Sequence, residues 1–301
     1  MFPASGERNM RYHRERVISG KGTGRAEFAD ALRGLALDAN DELYAVGDCD
    51  LKVFSLQGNL LRRWRTEYPG YSVAVSASGT ACVGQAGQVQ IFNRQGKLLD
   101  TWRDADRLGL VTAIGFAGDD VLLADAKGRC IRRYDQSGKH RNDIGRGDGR
   151  RGFFIPNGHL DFAVDAQGAI HAPNPGKHRV ERYSPEGELL GRFGRFDGVD
   201  PAGFSGCCNP TNIALTPEGL IVVTVKAAPG VKVYNTEGKL LAVLGTDDFD
   251  PRCKNMDVAV DSQGRIYVID TARLYICVYA PDRPDVTTQP AGNPADESVK
   301  P

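Results

Sequence analysis

Six aromatic residues recur along this 301-residue chain at blade-sized intervals, and five of them are followed four residues later by a glycine. The segments LKVFSLQGNLLRRW (51–64), VQIFNRQGKLLDTW (89–102), IRRYDQSGKHRNDI (131–144), VERYSPEGELLGRF (180–193) and VKVYNTEGKLLAVL (231–244) align without a gap, and YICVYAPD (275–282) begins the same way and then departs. The aromatics Phe54, Phe92, Tyr134, Tyr183, Tyr234 and Tyr279 are separated by 38, 42, 49, 51 and 45 residues. A repeat of that length is one supersecondary unit that cannot bury its apolar face alone, so neighbouring units must stack.

Each unit reads as strands. Alternation such as Val231-Lys-Val233-Tyr234 puts every second side chain on one face, and the glycine lies in a short polar turn before a second alternating run, which makes a hairpin. Upstream lies another hairpin, as in LALDANDELYAV, FAVDAQGAIHA and VAVDSQGRIYVI, with a degenerate form, IGFAGDDVLLAD, in the third unit. Two hairpins per unit and six units predict an all-β fold, a six-bladed β-propeller of four-stranded antiparallel blades. The lack of a sustained 3.6-residue period excludes a helical solenoid. The sixth unit has only three strands, and RERVIS (14–19) can supply the fourth, so the N-terminal strand is expected to close the ring. The expected organisation is an N-terminal extension (1–13), one propeller domain (14–280) and a disordered Pro-rich tail (281–301).

Composition narrows the function classes. Thirty-eight Lys and Arg balance thirty-eight Asp and Glu, which removes a global electrostatic argument for a nucleic-acid partner or an acidic membrane. No apolar run is long enough to span a bilayer. The first residues lack a signal-peptide core, so the expectation is a cytoplasmic monomer, or a periplasmic or secreted one if a leader has been removed. Seven cysteines are too few, and odd in number, for a disulfide scaffold, and their default state is reduced.

The pattern resembles the NHL repeat: an inner hairpin, a basic residue before Val-x-Val and an aromatic, then Gly-x-Leu-Leu and a Gly-rich loop. In the fourth unit, Asn174-Pro-Gly-Lys-His-Arg-Val180 followed by Glu181-Arg-Tyr183 fits it, and the loops at 20–28 and 145–154 look like its approach to a new blade. The Trp-Asp pair of WD-type blades is absent, and Gly-His occurs once, at Gly158-His159. NHL-like propellers include protein-binding and RNA-binding modules, zinc-dependent lyases and uncharacterised bacterial proteins. This chain is most similar to that last group through Gly206-Cys-Cys-Asn-Pro210 and Lys226…Pro229-Gly-Val-Lys-Val-Tyr234. The resemblance implies the fold and supplies no reaction.

Chemistry is sought on the face formed by the connections between blades and by the turns between second and third strands. Cys208 and Cys253 both lie 26 residues ahead of their aromatics, so they occupy one loop position in adjacent blades, with Cys207 beside the first. Three readings stand. Cys207, Cys208 and Cys253, with His159 as a fourth donor, would hold a soft transition metal such as zinc, copper or iron. Alternatively, Cys207 and Cys208 form a vicinal disulfide, or Cys253 pairs with one of them as a redox dithiol. In the third reading the sulfurs are small apolar side chains that shape the loops.

Lys226, Asp125, Asp270 and Arg273 fall on second-to-third-strand turns of the same face and are the candidate ligand-binding residues, able to hold an anionic ligand or acidify a thiol. Cys49 is a weaker candidate there. A propeller lyase would need histidines from several blades, whereas His159, His171 and His178 all belong to the fourth. Neither a phosphate loop nor a Gly-x-Ser-x-Gly elbow is present. The leading expectation is a propeller that binds a soft metal ion or small ligand at this cysteine-lined site, with or without catalysis. The alternatives are an interaction scaffold that uses the same face for a protein partner, and a metal-dependent lyase or hydrolase.

Overall fold

At the repeat glycine the chain reverses between the third and fourth strands of a blade. Gly58, Gly96, Gly138, Gly187 and Gly238 have φ between +78° and +96°, a conformation that a Cβ disfavours. Their amides donate to the carbonyls of Ser55, Asn93, Asp135, Ser184 and Asn235 at 2.9–3.0 Å. The first turn residue also caps the loop with its side chain: Asn93 Oδ1 accepts from the amides of Gln95 and Lys97 at 3.0 and 2.9 Å. The aromatic just before each turn is buried, and in the first five blades a register shift falls at that aromatic. The turn needs the glycine and the core needs the ring, so the two recur together.

A computed structural model describes residues 10–147, 151–226 and 228–282. Residues 283–301 of the expected tail, the first nine residues and positions 148–150 lie outside the described residues. After β1 (Tyr12–Ile18), blade one holds β2 (Gly34–Leu37), β3 (Leu43–Gly47), β4 (Asp50–Phe54) and β5 (Leu60–Arg65). Blade two has β6 (Ser72–Val75), β7 (Ala81–Gly84), β8 (Gln88–Phe92) and β9 (Leu98–Arg103). Blade three has β10 (Val111–Ala117), β11 (Asp120–Asp125), β12 (Cys130–Tyr134) and β13 (His140–Ile144). Blade four has β14 (Ala163–Val164), β15 (Ile170–Asn174), β16 (Arg179–Tyr183) and β17 (Leu189–Phe193). Blade five has β18 (Ile213–Leu215), β19 (Ile221–Val225), β20 (Gly230–Tyr234) and β21 (Leu240–Leu244), and blade six has β22 (Val258–Val260), β23 (Ile266–Asp270) and β24 (Tyr275–Pro281).

The described residues thus form six four-stranded antiparallel sheets. The sixth is completed by β1, paired with β24 from Tyr12 opposite Pro281 to Ile18 opposite Ile276. The closing strand begins two residues before the expected Arg14. Ile18 lies in the hydrophobic cluster that joins blades six and one, with Leu35, Leu43, Tyr267, Ile269 and Ile276. Each of the other five blade junctions has its own cluster. The core is therefore a ring of inter-blade layers, and burying a large side chain in one contributes about 1.5–3 kcal/mol.

The inner strands and the residues leading into them, with Thr224 of β19, are stapled around the central channel. Ser72 Oγ donates to the Val111 carbonyl at 3.0 Å, and Thr112 Oγ1 to that of Leu160 at 2.6 Å. Asp161 Oδ2 accepts from Ile213 N at 2.8 Å, Thr224 Oγ1 donates to the Met256 carbonyl at 2.9 Å, and Asp257 Oδ2 accepts from Leu35 N at 2.7 Å. These bonds link blades two through six and return to blade one.

Candidate functional site

On the loop-rich face, the connection entering blade five is tied to the turn between β19 and β20 by Asn209. Its Nδ2 donates to the Ser205 carbonyl at 2.7 Å and its Oδ1 accepts from Lys226 N at 2.9 Å. That tie sets Lys226 beside the cysteine pair. Cys207 is exposed and Cys208 buried, both thiols are free, and their sulfurs are 3.2 Å apart. The Cys207 thiol is held below the usual cysteine range by its hydrogen bond to Cys208, with the Lys226 ammonium adding to the effect. Burial, reinforced by the same hydrogen bond, pushes Cys208 up. One sulfur of the pair is thus accessible and acidified, and the other is its hydrogen-bonded partner.

Cys253 occupies the matching loop position of blade six but turns inward. It is buried in the cluster with Phe249 and Met256, its thiol donates to Asp270 Oδ1 at 3.2 Å, and burial raises its pKa. Asp270 also accepts from the amides of Asp250, Ala272 and Arg273 at 2.7–3.0 Å. Asp125 does the same in blade three, taking the amides of Leu110, Lys127 and Gly128 at 3.0–3.2 Å and both Nε and Nη2 of Arg132. Both carboxylates are fully buried and organise the loops around them. Arg273 donates to the Asp248 carbonyl at 2.9 Å and to the Tyr275 hydroxyl at 2.8 Å. Cys49 borders a separate depression with Asp48, Asp50, Arg63 and Arg65.

His159 stands at the channel rather than at the cysteines. Its Nε2 meets Asn212 Nδ2 at 2.9 Å, and the same amide nitrogen donates to Asp257 Oδ1 at 3.1 Å. Burial lowers the His159 pKa to about 4, so the ring is neutral at physiological pH. The structure therefore brings Cys207, Cys208 and Lys226 together, Cys253 to Asp270, and His159 to Asn212. Among the described residues no three His, Cys, Asp or Glu side chains gather in a metal-holding group.

A polar ring lies at a second shared offset from the aromatics. Asp161, Asn212 and Asp257 each lie 22 residues ahead of Tyr183, Tyr234 and Tyr279, at the start of the inner strands of three successive blades. Burial raises the Asp257 pKa to about 6. Asp161 is raised well above the ordinary carboxylate range, first by burial and then by the Asp257 charge. The count back from the aromatics that aligns Cys208 with Cys253 at 26 aligns these three at 22.

Above the ring, the channel mouth opens into a cavity of about 260 Å³ bordered by Arg33, Tyr71, Thr112, His159, Lys254 and Asn255. Asn157, whose Nδ2 donates to Asn255 Oδ1 at 3.0 Å, ties the loops of blades four and six together there. On the opposite face a wider hollow of about 780 Å³ is bordered by the first-hairpin turns. Its acids Asp38, Asp165 and Asp261 cap those turns through backbone amides, and His171 Nε2 meets Asp165 Oδ2 at 2.9 Å.

No family model and no curated protein matches the chain. Solved structures do. A streptogramin B lyase matches with a TM-score of 0.61 at 10% identity, over 92% of this chain and 100% of that one. Virginiamycin B lyase from Staphylococcus aureus matches at 0.59 and 10%, over 90% and 99%. The WD40 β-propeller domain of Doa1 matches at 0.60 and 16%, over 86% and 80%. At such identities the likeness is one of fold. In these blades, two neighbouring thiols of unequal acidity beside a lysine can hold a soft cation or attack a thiophilic electrophile.

Proposed function

We propose that the protein is an NHL-type propeller that binds a soft metal ion or other thiophilic ligand through Cys207 and Cys208, with Lys226 engaging an anionic part of the ligand. The observation that carries this reading is the 3.2 Å pair of free thiols, one exposed, one buried, on the loop-rich face. Two thiolates select soft ions over magnesium or calcium, and two protein donors leave coordination positions open for a further ligand. Cys253 and His159 serve Asp270 and Asn212 in this conformation, so the reading rests on the adjacent pair. Catalysis would be a property of what fills the open positions, and likeness in fold to lyases assigns no residue here to that role.

The test is an anaerobic titration with Cu(I) and with Zn(II), followed by sulfur-to-metal absorption and by protection of Cys207 from alkylation. Saturation at one ion per chain, lost in Cys207→Ser/Cys208→Ser, is expected. No saturable binding, with alkylation unchanged by either ion, would leave the interaction-scaffold reading in its place.

A further inference from the structure

The channel mouth carries a second site, independent of the cysteines. Arg33 sits at the end of the connection into blade one, its guanidinium 4.7 Å from the centre of the Tyr71 ring. Its Nη1 is buried and has no hydrogen-bond partner. A buried guanidinium nitrogen left unpaired costs more than a neutral donor would, and a cation at a low-dielectric wall concentrates field in the cavity it borders.

The other groups around the roughly 260 Å³ cavity are mostly donors. Asn212 Nδ2 can only donate, so His159 Nε2 accepts from it and Nδ1 carries the ring hydrogen; that hydrogen has no acceptor among the described residues. Asn255 Oδ1 is taken by Asn157, which leaves its amide hydrogens. The exposed Lys254 adds an ammonium at the rim. Asp30, also at the rim, is the one carboxylate bordering the cavity; Asp161 and Asp257 lie outside its lining and accept from backbone amides of the blades.

We infer that the channel mouth binds a small oxyanion, the carboxylate or phosphate group of a compact metabolite, with Arg33 and Lys254 supplying charge and the His159 Nδ1–H a directed hydrogen bond. The volume lies below the ~300 Å³ at which pockets for drug-sized ligands begin, which limits the ligand to a compact one.

The probes are inorganic phosphate and succinate, titrated into the full chain by calorimetry at constant ionic strength. One-to-one saturable binding of at least one of them is expected, and which one binds separates the phosphate from the carboxylate source. Arg33→Gln, which removes the charge and keeps a planar side chain over Tyr71, should weaken it at least tenfold. Lys254→Ala, at an exposed position that leaves folding intact, should weaken it several-fold. Cys207→Ser/Cys208→Ser should leave it unchanged, which separates this site from the thiol site. Binding of neither anion, or equal binding by wild type and both the Arg33 and Lys254 variants, would overturn the inference.

Discussion

Asp257 and His159 share a channel wall and are shifted in opposite directions by the same cause. Burial opposes charge, so the carboxyl holds its proton up to about 6 and the imidazole loses its proton near 4. For Asp257 the folded pKa exceeds the unfolded value. Its favourable contribution is therefore full below the ordinary aspartate pKa and is lost as pH rises through about 6. For His159 the folded pKa is below the unfolded value, so its contribution is present above about 6.5 and is lost as pH falls. The two terms offset one another across much of the same window.

Asp257→Asn removes the first of them, together with the charge it places on Asp161. Relative to wild type, the variant should gain on the order of 2 kcal/mol between pH 4.5 and 7.5, measured by urea unfolding at both pH values. A difference that does not change with pH would contradict the assignment. Asp161, Asn212 and Asp257 were legible in principle, since their shared offset of 22 stands in the sequence. Aspartate and asparagine are common in turns, however, and lack the rarity that made Cys207 and Cys208 visible. The inward turn of Cys253 had no local signal at all, because it depends on Asp270, which arrives from a different connection.

At the scale of the hairpin, the aromatic and the glycine were enough to fix strand order and turn position, because each answers a local demand: a buried ring and a positive φ. What the repeat did not reveal is the company each glycine keeps. A Cβ on Gly187 would meet nothing closer than 3.6 Å, whereas one on Gly238 would lie 2.5 Å from Phe193. Gly187→Ala should therefore cost only the backbone term of about 1–2 kcal/mol. Gly238→Ala should cost that plus about 1–3 kcal/mol of overpacking. Chemical denaturation of the two variants side by side checks the ordering, and equal losses would contradict it.

For the whole molecule, the missing outer strand of the sixth unit was the informative defect: a ring must close, and a matching strand, RERVIS, lay near the start. In the structure that strand runs alongside β24, and Ile18 enters the junction between blades six and one. Ile18→Ala should cost about 2–5 kcal/mol, read from the urea midpoint, and a loss under 1 kcal/mol would show that the ring does not depend on this clasp. The fold was legible because six copies repeat one solution. The site was legible only in part, because it is assembled from connections that differ from blade to blade. Its central claim is the thiol pair, and the most direct test is the elemental composition of protein purified anaerobically without added metal, wild type beside Cys207→Ser/Cys208→Ser. Close to one soft ion per chain in the first and none in the second is the predicted result. A metal-free wild type, or an ion retained by the double variant, would contradict it.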